Sequence, residues 1–132
     1  MTETQVEKPS LLVAKGTFEA MRGAERDLIR NLPALTEYFD VTMATLQSSK
    51  ELKQCCRENS IPLLKPKISW QQKSGTWARI WNTELRSSTK AWKGIAGLKE
   101  VLASTDAVHL VSGDGSLGLI RHKHLYKSLC YH

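Results

Sequence analysis

The sequence predicts an α+β domain, mostly helical with a C-terminal β-hairpin. Three observations lead there. Apolar residues recur at spacings of three, four and seven over much of the first 59 positions, helical spacing returns between Trp77 and Ala103, and an Asp-Gly pair near the C-terminus separates two apolar runs.

Element by element, MTETQVEKP (residues 1–9) is polar and reads as a flexible N-terminus. Ser10 fits an N-cap, and Leu11, Ala14, Phe18, Met21, Leu28 and Leu32 then follow an amphipathic helix that Gly16 and Gly23 weaken without breaking. Asn31 and Pro33 mark a stop and restart, because proline suits the first turn of a helix and not its interior. A second helix is expected from Pro33 to about Leu46, burying Leu35, Tyr38 or Phe39, Thr42 and Leu46. Ser48 with Glu51 resembles a capping box that opens a short helix through Leu52 and Cys56 to about Asn59. Residues 10–59 thus form an expected helical part, for packing or oligomerisation.

Pro62 and Pro66 exclude a helix across IPLLKP, so residues 60–68 read as a connector or short edge strand. The remaining part, 69–132, is expected to hold a helix around Trp77, Ile80, Trp81 and Leu85, a second from about Lys90 to Ala103, then AVHLV and LGLIRHKH as strands around SGDGS. The order helix, short extended piece, helix, helix, strand, turn, strand resembles a winged helix-turn-helix architecture, with SGDGS at the wing tip. All of this fits one compact domain, since 132 residues and 14.8 kDa supply one core and not two.

Charge carries the strongest functional signal. The net charge is +6 with a pI near 9.4, and its distribution is uneven. Residues 1–60 hold eight basic and nine acidic side chains, whereas 61–132 hold eleven and four. Between Lys65 and Lys99 the sole acid is Glu84, and all four tryptophans, Trp70, Trp77, Trp81 and Trp92, fall in that stretch. Cations and aromatics interleaved in this way suit a nucleic-acid surface, because phosphates reward cations through counterion release and exposed bases reward aromatic faces. The expected contacts are Lys65, Lys67, Lys73, Arg79, Arg86, Lys90, Lys93 and Lys99, with Arg121 and Lys123 adding a second set from the hairpin. Trp77, Trp81 and Trp92 sit at core spacing, which leaves Trp70 to stack on a base.

Other chemistries find less support. His122 and His124 alternate as a metal clip would, but no third ligand is placed convincingly, so no metal and no cofactor is expected. SGDGS matches neither GxSxG nor a phosphate-binding GxxxxGK[ST], and Cys55 and Cys56 lack a neighbouring base, so they read as buried structural cysteines and the protein as no enzyme. An odd count of three cysteines, a polar acidic start and no apolar run near 20 residues point to a cytoplasmic or otherwise intracellular chain with no membrane association.

The expected function is non-catalytic binding of DNA or RNA, in its sharpest form by a dimeric winged-helix regulator. The alternative is a protein–protein interaction module, either a small subunit of a nucleoprotein complex or an inhibitor of a nucleic-acid-binding complex. A steep salt dependence of DNA or RNA binding separates the two.

Overall fold

A computed structural model describes residues 8–18, 23–68, 70, 86–111, 116–121 and 129–131. Its centre is a parallel sheet. Strands β1 (Ser10–Thr17), β2 (Asp40–Gln47), β3 (Leu63–Leu64), β4 (Ala107–Val111) and β5 (Leu129–Tyr131) lie in the order β3-β2-β1-β4-β5, and every neighbouring pair runs parallel. Helices α1 (Gly23–Leu35), α2 (Lys50–Glu58), α3 (residues 86–93) and α4 (Leu98–Ser104) connect them, with a 3-10 helix at Ser116–Arg121. This order is that of a Rossmann-like doubly wound fold. It overturns both the expected mostly helical α+β fold and its winged helix-turn-helix form.

Burial on both faces explains the correction. Strands of a parallel sheet covered by helices on each side lose the polar alternation of a half-exposed strand and become near-continuous apolar runs. LLVA in β1 is such a run. Leu12 and Ala14 join a cluster with Ala44, Leu46, Val108, Leu110, Trp92, Leu98, Leu102 and Leu119, while Leu11 and Val13 join Val41, Met43, Leu32, Leu52, Cys55 and Cys56 on the other face. Helices α1 and α2 therefore cover one face; α3, α4 and the 3-10 helix cover the other. The spacing of Leu11, Ala14 and Phe18 fits a helix by coincidence, and Ser10 is a strand residue rather than an N-cap. Its amide donates to Asp106 Oδ2 at 2.8 Å, and Asp106 N donates back to Ser10 Oγ at 2.8 Å, joining the entries of β1 and β4.

The expected helix from Pro33 to Leu46 is likewise replaced, by the end of α1 and the whole of β2, where Val41, Thr42 and Thr45 supply β-branched side chains. Pro33 lies inside α1 and deprives the Ile29 carbonyl of its usual amide donor; the Cys55 thiol of α2 donates to that oxygen at 3.5 Å instead. Helix α2 begins one residue later than the capping box suggests, with Ser49 Oγ accepting from Leu52 N at 3.1 Å, and ends at Asn59 as the sequence indicates. The expected helix from Lys90 to Ala103 is two pieces, separated where Gly97 takes a φ of +86°. β3 is the edge strand foreseen between the prolines, and AVHLV is β4. Among the described residues no hairpin follows it: residues 116–121 are 3-10 helix and β4 pairs in parallel with β5. Residues 1–7 of the N-terminus expected to be flexible over 1–9, the expected helix around Trp77 and Trp81, and most of SGDGS lie outside the described residues. Among the described residues, no helix is long and apolar enough to cross a membrane.

Candidate phosphate-binding site

In an open parallel sheet the ligand crevice lies beyond the C-terminal ends of the strands, where successive crossovers leave in opposite directions. Here that point is between β1 and β4. The Gly16 amide at the end of β1 donates to the buried Ser116 Oγ at 2.9 Å, and the Gly16 carbonyl accepts from Thr45 Oγ1 of β2 at 3.1 Å. Side chains thus take over from the backbone ladder, which on the β4 side ends at Lys15 and Val111. Phe18 N reaches Gln47 O at 3.1 Å and closes the β2 side of the edge. Beneath it, Lys15 Nζ stands 3.8 Å from Glu25 Oε1, their side chains 4% and 11% exposed, joining β1 to the first turn of α1.

One atom at this edge is unsatisfied. Gln47 Oε1, at the last position of β2, is buried with no hydrogen-bond partner. Buried polar atoms without partners are uncommon in folded proteins.

Helix α3 is held against the same edge. Trp70 donates from its backbone amide to Leu46 O at 3.1 Å and from Nε1 to Ser87 Oγ at 2.8 Å, clamping the residue after Arg86 to the end of β2. On the other side Gly118 packs so tightly on α3 that an added Cβ would strike Ser88 Oγ and come within 2.6 Å of Thr89 N. Between these contacts, Arg86, Lys90 and Lys93 stand at i, i+4 and i+7 on one exposed stripe, and with Thr89 they border a concavity of about 350 Å³. Among these lining residues no acid offsets the three cations.

Of the predicted contact residues, the fold brings Arg86, Lys90 and Lys93 together. Lys99 is exposed on α4, apart from that concavity. Lys65 and Lys67 are exposed after β3, and Lys65 lies beside Lys53 of α2, on the other side of the sheet; burial and then the Lys53 charge lower its pKa. Trp70 corrects the stacking expectation: it is 7% exposed and part of the core, with its ring N–H already engaged, so it offers no open face to a base. Trp92 is a core residue, fully buried. Lys73, Arg79 and Lys123 lie outside the described residues, as does the side chain of Arg121.

Cys55 and Cys56 are free thiols, as buried structural cysteines should be. Burial raises both, Cys56 to about 11, so neither is a thiolate at neutral pH. His122 and His124 lie outside the described residues, and among those described no cluster of three or more His, Cys, Asp or Glu could hold a metal. Sequence reasoning missed Gln47 and Ser116, whose contacts depend on strand ends that the helical reading did not contain.

No protein-family model matches the chain, and no curated protein matches it. Among solved structures it is similar to the C-terminal domain of a hydrogenase from Pyrococcus furiosus, with a TM-score of 0.52 and 16% identity over 99% of this chain and 97% of that one. At that identity the likeness shows the α/β fold alone.

Proposed function

We propose that the chain is a Rossmann-like binding domain that takes a small phosphate-bearing ligand, such as a nucleotide, at the C-terminal edge of its sheet. The observation that carries this reading is the convergence of Arg86, Lys90 and Lys93 on one concavity beside that edge. Its volume of about 350 Å³ falls in the range of small-molecule sites, roughly 300 to 1,000 Å³. Three cations suit phosphate oxygens, and Gln47 Oε1 is an acceptor for a donor elsewhere on the ligand. The proposed role is binding.

A second reading, the backbone of DNA or RNA, is favoured by the exposure of the same stripe. The number of phosphate contacts within reach among the described residues favours the first. Seven residues of helix span roughly 10 Å, so these three side chains reach two or three phosphates and give a log–log salt slope of about 2 to 3. Proteins that hold duplexes at physiological salt commonly make about 6 to 10 such contacts.

Calorimetric titration of ADP, a single-stranded oligonucleotide and duplex DNA, at about 50 and about 200 mM salt, tests both. The reading expects ADP to bind and the Lys90→Glu/Lys93→Glu variant to lose at least about tenfold in affinity, one reversed contact being worth that much or more. Steep, length-dependent binding of DNA or RNA with none of ADP would replace it with the second reading.

A further inference from the structure

The two ends of the α3 stripe stand at different distances from the strand ends. Arg86 precedes Ser87, whose Oγ accepts from Trp70 Nε1 at 2.8 Å, and the Trp70 amide donates to Leu46 O of β2 at 3.1 Å. That end of α3 is therefore fixed at the end of β2. Lys90 follows one turn later, and Lys93 is the last residue of the helix, roughly 10 Å from Arg86 along its axis. Side chains at i, i+4 and i+7 are neighbours in pairs, Arg86 with Lys90 and Lys90 with Lys93, so the stripe offers two adjacent cationic steps. The concavity they border, about 350 Å³, has the scale of a whole small-molecule site, and a lone phosphate leaves most of it empty. Charge points the same way. Three cations with no acid among the described lining residues exceed one ester phosphate, which carries about −1.5 to −2 at neutral pH, and a second phosphate brings the total closer to balance.

We propose that the site takes a diphosphate, with the inner phosphate on Arg86 and Lys90 and the terminal phosphate on Lys93. Resting on the phosphate reading, this assignment makes Lys93 the residue that tells a diphosphate from a monophosphate. The orientation follows from the anchored end of α3, which sets the rest of the ligand over the strand ends beside Arg86. A monophosphate held that way ends at Lys90. The Arg86 guanidinium is a planar fork that grips two oxygens of one phosphate and fixes the inner group, whereas Lys93, a point charge on a flexible stem, follows a terminal group that is free to turn. Its place at the carbonyl end of the helix adds to the need for a cation there, because that end of the dipole repels an anion.

The test is calorimetric titration of the 132-residue chain with AMP, ADP, inorganic phosphate and pyrophosphate at about 50 mM salt. Three variants accompany the wild type: Lys93→Gln, Arg86→Gln and Lys99→Gln, all at exposed positions, the last outside the concavity. The wild type should bind ADP about tenfold more tightly than AMP, and pyrophosphate more tightly than phosphate by a similar factor, since one charge-assisted contact is worth that much. Lys93→Gln should bring ADP to within about twofold of AMP while its AMP affinity stays within about twofold of the wild type, as expected of a contact the monophosphate does not make. Arg86→Gln should weaken both nucleotides, and Lys99→Gln neither. The proposal is overturned, and the phosphate reading kept, if the wild type binds ADP and AMP alike or if Lys93→Gln weakens AMP as much as ADP. Binding of none of the four ligands overturns both.

Discussion

The two faces of the sheet carry cations in contrasting settings. Beside α3, Arg86, Lys90 and Lys93 share a concavity on the helix that Trp70 ties to the end of β2. Beside α2, Lys50, Lys53 and Arg57 share theirs with Gln54 and Glu58. The described lining of the α3 concavity holds no acid, whereas Glu58 offsets the cations of the α2 concavity, and that local charge balance separates the two. On each side a contact ties a helix to its neighbours, Lys15–Glu25 for α1 and Gly118 against α3, and perturbing those contacts shows whether the faces act independently.

The largest expected effect is on the α1/α2 side. Glu25→Ala leaves Lys15 buried without that carboxylate and should cost about 3 kcal/mol in chemical denaturation, while ADP affinity of the folded protein stays within about twofold. Next is Gly118→Ala on the α3 side, whose Cβ must displace the backbone of Thr89. It should cost about 2 kcal/mol and, unlike Glu25→Ala, weaken ADP binding as α3 shifts. Equal effects of the two variants on ADP would mean that the faces do not separate.

Gln47→Met removes the unpartnered acceptor at the ligand edge. It should raise stability by up to about 1 kcal/mol while lowering ADP affinity, the opposite signs marking a group kept for binding. A drop in stability would show that the side chain serves the fold. The smallest effect belongs to Asp106, at the far end of the strands, where hydrogen bonds from the Ser10 amide and hydroxyl lower its pKa. A carboxyl depressed in the folded state stabilises above its unfolded value, about 3.9, and loses that contribution as pH falls through the lower folded value. Acid denaturation of Asp106→Asn should accordingly lack that part of the pH dependence, with no change in ADP binding at neutral pH.

How much of this was legible in the sequence follows from which signals are local. The start of α2 to within one residue, its end near Asn59, β3 between its prolines and β4 as AVHLV rest on neighbouring residues, and each was readable. The strand nature of LLVA and VTMATL was not, because a strand buried on both faces shows neither alternation nor a helical stripe. That single ambiguity changed the fold class. The stripe of Arg86, Lys90 and Lys93 survived the change, since spacing along one helix is local, whereas Lys65 and Trp70, close in sequence, were sent to a surface and to the core by contacts with Lys53, Leu46 and Ser87. Gln47 carried no signal at all, since an unsatisfied acceptor exists only once the strand ends are assembled.

The most direct test of the central claim is a residue-resolved NMR titration of the backbone amides with inorganic phosphate. Shifts concentrated at Arg86, Thr89, Lys90 and Lys93, with smaller ones at Ser116 and none along α2, are the predicted result. Shifts concentrated at Lys50, Lys53 and Arg57, or spread evenly over every lysine on the surface, would contradict it.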